Sequence, residues 1–552
     1  MGIFTGIATD KDVEQLKKRI IKDPVLFARL QSVGERSGYT KGGERRMEGK
    51  YAQMPTKAEL LRLYRTLVAE GVEEADGNVE MALRKIRTKS NSGVAVISLL
   101  TKPFPCPGRC TYCPTEENMP KSYLAEEPAA ARALAHNFDP YLQVESRLRA
   151  LTANGHPVDK IEMIVIGGTW SFYHPAYQEE FLIGAYRACN DYGTSNTSRM
   201  QEIPRDKLAY IASLQDENET AHARVIGLSI ETRPDYVTED EVRRLRILGV
   251  TKVEMGVQHL DDDVLELTKR DMKISRVKIA TELLRNAGFK MVYHMMPNLE
   301  GSTPPRDISM FGELFSGEDF QPDMLKIYPC VVLRKSELYD TWKAGGFRPY
   351  SDEELVRILR EAKQQIPPYV RIMRVIRDIP ATLIAAGSKI SNLRQVMDKD
   401  MKEQGWQCRC IRCREIRERS VNTDLLELIS RTYRTRTGTE YFLSYEERGT
   451  NALASFLRLR LPDELGVNAP LPELVGAGLI RELHTYGRHT PIATGGTHGQ
   501  HRGLGRALVL EAERIAHEAG FRKMAIIAGV GVRRYYLSLG YRLEGTYMIK
   551  SW

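Results

Sequence analysis

Residues 1–90 place apolar side chains at helical spacing. Asp12–Leu30, Lys57–Glu70 and Asn78–Ile86 read as amphipathic helices. From residue 91 the period changes. Short apolar, β-branched runs occur at Val94–Leu100, Ile161–Ile166, Val225–Ile230, Lys252–Val257, Lys290–Met296 and Met324–Tyr328. Amphipathic stretches such as Glu239–Leu248 and Ser275–Ala287 lie between them. Buried strands alternating with helices predict a parallel sheet, and six such units over 91–395 predict an open partial (βα)6 barrel. Residues 396–436 form a cysteine- and arginine-rich linker. From 437 to 552 the pattern is mixed: strand-like Tyr441–Tyr445, Ala452–Leu459 and Gly478–Gly487, a helix Gly503–Ala519, a strand Lys523–Ile527, a helix Arg533–Leu539 and strand-like Tyr541–Ile549. The expected class is α/β, with a helical N-terminal region, a partial barrel, a linker and a mixed α/β C-terminal domain, and no internal repeat.

The chemistry-bearing residues fall at predicted strand ends, where barrels of this kind collect their sites. Cys106, Cys110 and Cys113 follow the first strand in a C-x3-C-x2-C loop. Three thiolates hold three corners of a cubane iron–sulfur cluster and leave one iron open. An open iron can chelate S-adenosylmethionine and reduce it to a 5′-deoxyadenosyl radical. A zinc knuckle is the alternative, but zinc sites usually pair two separated halves. Gly167 and Gly168 follow the second strand, where backbone amides free of Cβ obstruction can approach the methionyl group. Glu231 and Gln258 end the third and fourth strands and are placed to bind ribose hydroxyls; capping or salt bridging at the rim is the other reading.

Cys408, Cys410 and Cys413 form a second triad, C-x-C-x2-C, in a linker with little core. Soft ligands there point to a structural zinc. Counting the remaining cysteines makes Cys330 the candidate fourth ligand; Cys189 is expected in the core. Near the C-terminus, Gln500, His501, Arg502, Gly503, Leu504 and Gly505 open a helix, and amides at a Gly-rich helix start can cradle a pyrophosphate. The pattern is not the G-x-G-x-x-G of a dinucleotide site. Downstream, Tyr535 or Tyr536 could stand beside a thioester and protonate a departing thiolate.

Length and composition narrow the classes. The 552 residues are too many for one core, and 42% hydrophobic residues suffice for several. No apolar run approaches a membrane span, no signal-peptide core is apparent, and Gly6 stands where myristoylation wants Ser or Thr. The expectation is a soluble cytoplasmic protein. The net charge of +8 is mild, but Arg36, Lys41, Arg45, Arg46 and Lys50, then Arg84, Lys85, Arg87 and Lys89, cluster near Tyr39, Tyr51 and Tyr64. Cations with interleaved aromatics make this region a candidate RNA contact. Crowded thiols in a chain this large read as metal ligands rather than disulfides.

Apart from the C-x-C-x2-C linker, these motifs in this order resemble the catalytic subunit family of Elongator (Elongator complex protein 3) in its free-standing prokaryotic form. The carriers are Ile230-Glu-Thr-Arg-Pro-Asp-Tyr236, Glu254-Met-Gly-Val-Gln258, Tyr293-His-Met-Met-Pro297, Leu325-Lys-Ile-Tyr-Pro329, Arg374-Val-Ile-Arg-Asp-Ile-Pro380, Arg481-Glu-Leu-His484 and the block from Gly529-Val-Gly531 to Tyr541. The likeness runs from about residue 84 to Trp552 and is looser before it. It implies a radical S-adenosylmethionine barrel with a [4Fe-4S] cluster, joined to a Gcn5-related acetyltransferase-like domain that binds acetyl-CoA through the Gln500–Gly505 loop. The implied activity is carboxymethylation of the wobble uridine of tRNA at carbon 5, with the anticodon stem-loop as partner. The cysteine loop departs from the eukaryotic pattern, where more residues separate the first two cysteines. Lys326 and Tyr328, at the sixth strand end, are then candidates for uridine handling or adduct reduction. Whether the chain forms a homodimer is left open.

Two rivals stand beside this reading. A protein lysine acetyltransferase would need a general base near the thioester, for which Glu482 or His484 is available. A tRNA-binding scaffold without turnover would have no use for three ligating cysteines.

Overall fold

The computed structural model describes residues 3–4, 7, 9–35, 55–84, 93–195, 197–416, 423–467, 469–487 and 503–552. Arg36, Tyr39, Lys41, Arg45, Arg46, Lys50, Tyr51, Lys85, Arg87, Lys89, Gln500, His501 and Arg502 lie outside them. No described helix is long and apolar enough to cross a membrane.

One compact unit takes residues 1–95 together with Glu145–Lys160, so it draws in a stretch expected wholly within the barrel. The single helix expected over Asp12–Leu30 is two, Asp10–Lys22 and Pro24–Glu35. Pro24 has no amide to continue the first helix, and Asp23 caps the second by accepting from Val25 N and Leu26 N. Capping boxes start Asp10–Lys22 at Thr9 and Lys57–Ala69 at Thr56. Their apolar faces meet in a core of Val13, Leu16, Ile20, Leu60, Leu63 and Leu67. Tyr64 belongs to that core. It is 2% exposed and its hydroxyl donates to Glu74 O at 2.9 Å, so the expectation that it stacks on bases is corrected. Arg84 is half-buried at the end of the helix Gly77–Leu83.

The second unit contains the barrel. Its strands are β1 (Val94–Leu100), β2 (Lys160–Ile166), β3 (Arg224–Thr232), β4 (Lys252–Gln258), β5 (Lys290–Met295) and β6 (Met324–Ile327). A short β7 (Val332–Leu333) follows, then β8 (Arg371–Arg374) and β9 (Ile384–Ala386). The main sheet has seven strands in the order β1-β2-β3-β4-β5-β6-β8, and β7 pairs antiparallel with β9. The pairs from β3 to β8 are parallel, giving the expected curled half-barrel one strand more than the apolar runs indicated. β8 reads Arg-Ile-Met-Arg, too short and polar to register as a buried strand.

The C-terminal sheet comprises β10 (Leu426–Thr435), β11 (Gly438–Glu447), β12 (Leu453–Pro462), β13 (Ala477–Thr485), β14 (Lys523–Ile526), β15 (Arg542–Glu544) and β16 (Tyr547–Ser551), in the order β10-β11-β12-β13-β14-β16-β15. β10 pairs with β11 along its whole length, so the domain begins before the expected boundary at 437. As a polar edge strand, β10 resembles the linker in composition. The helix Leu504–Glu518 buries Leu508, Val509, Ala512 and Ala516 against the sheet. Only β13–β14 is parallel, and it pairs over Ala477–Ile480 alone; Arg481–Thr485 run on without a β14 partner.

Barrel and C-terminal sheet meet in a charged seam. Arg481 forms a bidentate pair with Asp323 at 2.6 and 2.9 Å and also reaches Glu440 at 2.9 Å. Arg458 bonds Glu482 and the carbonyl of Tyr369, and Tyr369 stacks on Tyr433 at 4.0 Å. Gly529 and Gly531 press against β3, where a Cβ on Gly529 would stand 2.0 Å from Ile226 O.

Candidate active site

The cysteine loop leaves β1 pinned to the end of β2. Thr101 N donates to Ile166 O at 3.0 Å, and Thr101 Oγ1 to Gly167 O at 2.9 Å. Gly167 adopts φ 123°, and a Cβ there would meet Thr101 Oγ1 at 2.2 Å, so only glycine fits. Gly168, at φ 96°, has nothing within 4 Å of its Cβ position, and its backbone stays approachable. The glycine pair thus has two separate roles, close packing and open approach.

Cys110 is buried, and Cys106 and Cys113 are half-buried. Thr111 N bonds Thr268 O at 3.1 Å and Leu338 N bonds Thr111 O at 2.9 Å, tying the loop to the segments after β4 and β6. Arg270 Nη1 lies 3.6 Å from Cys110 Sγ. A hydrogen bond from Cys113, then the Arg270 charge, hold the Cys110 thiol well below its ordinary range against the opposing effect of burial. Arg233, paired with Asp235 at 2.8 Å, packs on the loop so closely that a Cβ on Gly108 would stand 2.4 Å from its Nη1. Arg233 Nη1, Arg270 Nε and Gln258 Oε1 are buried without a partner among the described residues. Buried polar atoms are nearly always paired. These orphans around three thiols and the Gly168 opening fit an iron–sulfur cluster with a polar adenosyl ligand.

Beside the loop lies a buried charged array. The parallel register sets Glu231 of β3 against Glu254 of β4, and His294 of β5 against Lys326 of β6. The Lys326 ammonium pairs closely with Glu254 and lies 3.6 Å from Glu231. Tyr123, from the cysteine loop's continuation, donates to Glu231 at 2.8 Å, and His294 Nε2 is 3.0 Å from Glu254. Burial alone would raise the Glu254 carboxyl, but Lys326 and then His294 hold it well below the usual range. The lysine is in turn raised by Glu254 against burial, so both are ionised. Glu231, Glu254 and His294 lie close enough to share a metal ion, but the lysine already supplies the cation. Glu231 is thus held in place by Lys326 and Tyr123. Tyr328 adds its ring at 5.6 Å from His294, edge to face.

Cys408, Cys410 and Cys413 do converge, with their sulfurs within 4.8 Å of one another. Their segment straps the last barrel strand to the C-terminal sheet: Ile411 N bonds Val370 O, Arg371 pairs with Glu415, and Ile416 N bonds Leu453 O. Cys330 is not with them. It packs with Cys110, Tyr112, Leu299 and Val332, and burial pushes its thiol up to about 12. Its place as fourth zinc ligand is therefore corrected: the turn after β6 carries it toward the first cysteine loop. Cys189 is a core residue, as expected.

In the C-terminal domain Gly503, at φ 94°, caps the helix beginning at Leu504. A Cβ on Gly505 would lie 3.2 Å from the Tyr535 hydroxyl and 3.6 Å from Thr485 Oγ1, so helix start, β13 end and tyrosine come together at the open end of the β13–β14 pair. Tyr536 is buried in the sheet core, whereas Tyr535 is exposed. Glu482 is pulled to about 2 by Arg458 although burial opposes it, and burial drops His484 to about 4 between the rings of Phe456 and Tyr486. Neither has the basicity of a general base at neutral pH. Because His484 is neutral when folded and titrates near 6.5 when unfolded, it stabilises fully above pH 6.5 and loses that contribution as pH falls toward 4. Urea titrations across that window should show a loss of at most about 3 kcal/mol that His484→Phe removes.

The barrel is matched by the Radical SAM superfamily over residues 105–306 and by the Radical SAM C-terminal domain over 322–403. A tRNA uridine(34) acetyltransferase of Methanocaldococcus jannaschii is 40% identical over 520 residues, 90% of this chain and 93% of its own. This chain belongs to the tRNA uridine(34) acetyltransferase and Elongator complex protein 3 family. The human Elongator complex protein 3 is 37% identical over 85% of this chain and 86% of its own. The solved Methanocaldococcus infernus Elp3 with its N-terminus deleted (1–46) superposes with a TM-score of 0.70 at 38% identity, covering 84% of this chain and all of that one. Within this family fold, Tyr123, Arg233, Glu254, Arg270 and His294 are the site residues that motif reading did not assign. For Glu254 and His294 the signal was a charged or polar residue inside an otherwise apolar strand run; Tyr123, Arg233 and Arg270 lie in loops and carried no such signal.

Proposed function

We propose that this chain is a radical S-adenosylmethionine enzyme of the cytoplasm that converts the wobble uridine of tRNA to 5-carboxymethyluridine, with acetyl-CoA as the two-carbon donor. The observation that carries this is the union, in one chain, of three thiols on the loop that follows β1 and a mixed C-terminal sheet open between β13 and β14. Cys106, Cys110 and Cys113 hold a [4Fe-4S] cluster, which when bound supplies one-electron cleavage of S-adenosylmethionine and so hydrogen abstraction from an acetyl methyl group. Gly167 shapes and Gly168 admits the methionyl group, and Glu231 and Gln258 face the ribose. Lys326 and Tyr328 meet the uridine. Gln500–Gly505 bind the pyrophosphate of acetyl-CoA, and Tyr535, beside Gly505, is better placed than the buried Tyr536 to meet the thioester. The cations from Arg36 to Lys50 and from Arg84 to Lys89 contact the anticodon stem-loop. Uracil carbon 5 is a poor nucleophile, so bond formation there calls for radical chemistry, whereas acetylation of an amine does not. The low basicity of Glu482 and His484 tells against the lysine acetyltransferase.

Anaerobic reconstitution with S-adenosylmethionine, reductant, labelled acetyl-CoA and unmodified tRNA should give labelled 5-carboxymethyluridine by nucleoside mass spectrometry, and Cys110→Ala should give none. Acetyl-lysine on added protein with no labelled nucleoside would overturn the proposal.

The second triad binds a structural zinc at the seam. Cys408→Ser/Cys410→Ser should lower zinc per chain by about one by elemental analysis, and lower the melting temperature while leaving the iron content intact. Unchanged zinc content would exclude the assignment.

A further inference from the structure

His294 is a half-buried group at the barrel strand ends whose Nε2 is engaged by a buried carboxylate and whose second nitrogen is unused. Glu254 is ionised and therefore only accepts hydrogen bonds. His294 Nε2, 3.0 Å away, must then carry its proton. In the neutral ring Nδ1 is consequently a lone-pair acceptor, the carboxylate–imidazole logic by which one nitrogen's partner fixes the role of the other. Nδ1 has no hydrogen-bond partner among the described residues, and the side chain keeps 13% of its surface exposed. On the adjoining strand, in register with His294, Lys326 is a permanent donor anchored on the same Glu254 oxygen. One fully buried carboxylate thus holds a donor and an acceptor side by side, at the strand ends that also carry the cysteine loop.

We infer that His294 and Lys326 read the edge of the target base: Nδ1 accepts the N3–H of uracil and the ammonium donates to the adjacent carbonyl oxygen O4. Glu254 is the positioning residue that fixes both. Cytosine presents the opposite pattern, an acceptor at N3 and a donor at N4, and leaves both protein groups unpaired. A base turned out of its stack is normally read on this edge by such paired groups. Tyr328, edge-to-face with His294, walls the same corner. The inference rests on the proposed wobble-uridine reading and adds to it the residues that select the base.

The test uses the full chain without reconstitution. Fluorescein-labelled anticodon stem-loops carrying uridine, 3-methyluridine or cytidine at the wobble position are titrated by anisotropy. Wild type should bind the uridine form about tenfold to a hundredfold more tightly than the other two, since both lose the N3–H contact. His294→Leu should bind all three alike, at the weaker level. Glu254→Gln should narrow the uridine preference while leaving affinity for a stem-loop abasic at the wobble position unchanged. Nitrogen-15 spectra of the imidazoles should show His294 in the Nε2–H form in wild type, with that preference lost in Glu254→Gln. A merely structural Glu254 would lower the melting temperature without changing base preference, and that outcome overturns the inference. So does equal binding of uridine and 3-methyluridine by wild type. If instead no stem-loop binds and reconstituted wild type makes no carboxymethyluridine, the failure lies with the proposed function. If wild type makes the nucleoside and His294→Leu discriminates as well as wild type, only the inference falls.

Discussion

Asp323→Ala is expected to destabilise the protein by about 3–5 kcal/mol, the usual result of removing one partner from a buried ionic cluster. Asp323 is fully buried at the start of β6. Its carboxylate accepts both arms of Arg481, lies 3.5 Å from Arg458 Nη1 and accepts from Met291 N at 2.9 Å. Removing it leaves the fully buried Arg481 with Glu440 as its remaining carboxylate, beside the Phe289 carbonyl, and takes from Arg458 one of its two carboxylates. Two cations then share too little negative charge in a low-dielectric seam. Guanidinium denaturation followed by tryptophan fluorescence should show the midpoint falling with a first transition for separation of the C-terminal sheet. A loss under 1 kcal/mol would mean that water enters the seam and screens the arginines.

Gly529→Ala should be nearly as damaging, for a steric reason. The added methyl would lie 2.0 Å from Ile226 O and 2.4 Å from Ile226 C, against backbone that is itself part of a sheet. Side chains can rotate away from such a clash, but a paired strand cannot, so the segment 529–532 must lift off β3. Overpacking of this kind costs about 1–3 kcal/mol, and more where backbone must move. Limited proteolysis should cut the variant faster than wild type. Gly540→Ala, where a Cβ would meet only the end of Lys550, should be far milder despite its positive φ. Equal cleavage of Gly529→Ala and wild type would show that the seam tolerates the shift.

The Gly529-Val-Gly531 run carried the family likeness, yet its structural task is close approach between domains rather than cofactor binding. A glycine pair in sequence does not say which of these it serves. Gly167–Gly168 makes the same point: the first is required by Thr101, and the second is left open.

What the chain determined locally was legible. Ligand spacing within one loop is a local property, so both cysteine triads could be read without a fold, and the sulfurs of the second indeed converge. Buried parallel strands must be apolar on both faces, so six of the seven barrel strands announced themselves. The break at Pro24 was equally local, but helical periodicity on either side concealed it. Other features depended on where the chain returns in space. β8 and β10 are short or polar strands made by pairing with β6 and β11, and their own residues carry little strand signal. Cys330 could be counted but not placed, because a buried thiol's neighbours are decided by the turn after β6. Glu254, His294 and Lys326 lie far apart in sequence, and only the parallel register of β4, β5 and β6 brings them onto one carboxylate. Charge pairing at that range depends on distance between side chains rather than on the order of residues, so the motifs told which chemistry the chain carries, and tertiary structure alone decided which of its buried charges face one another.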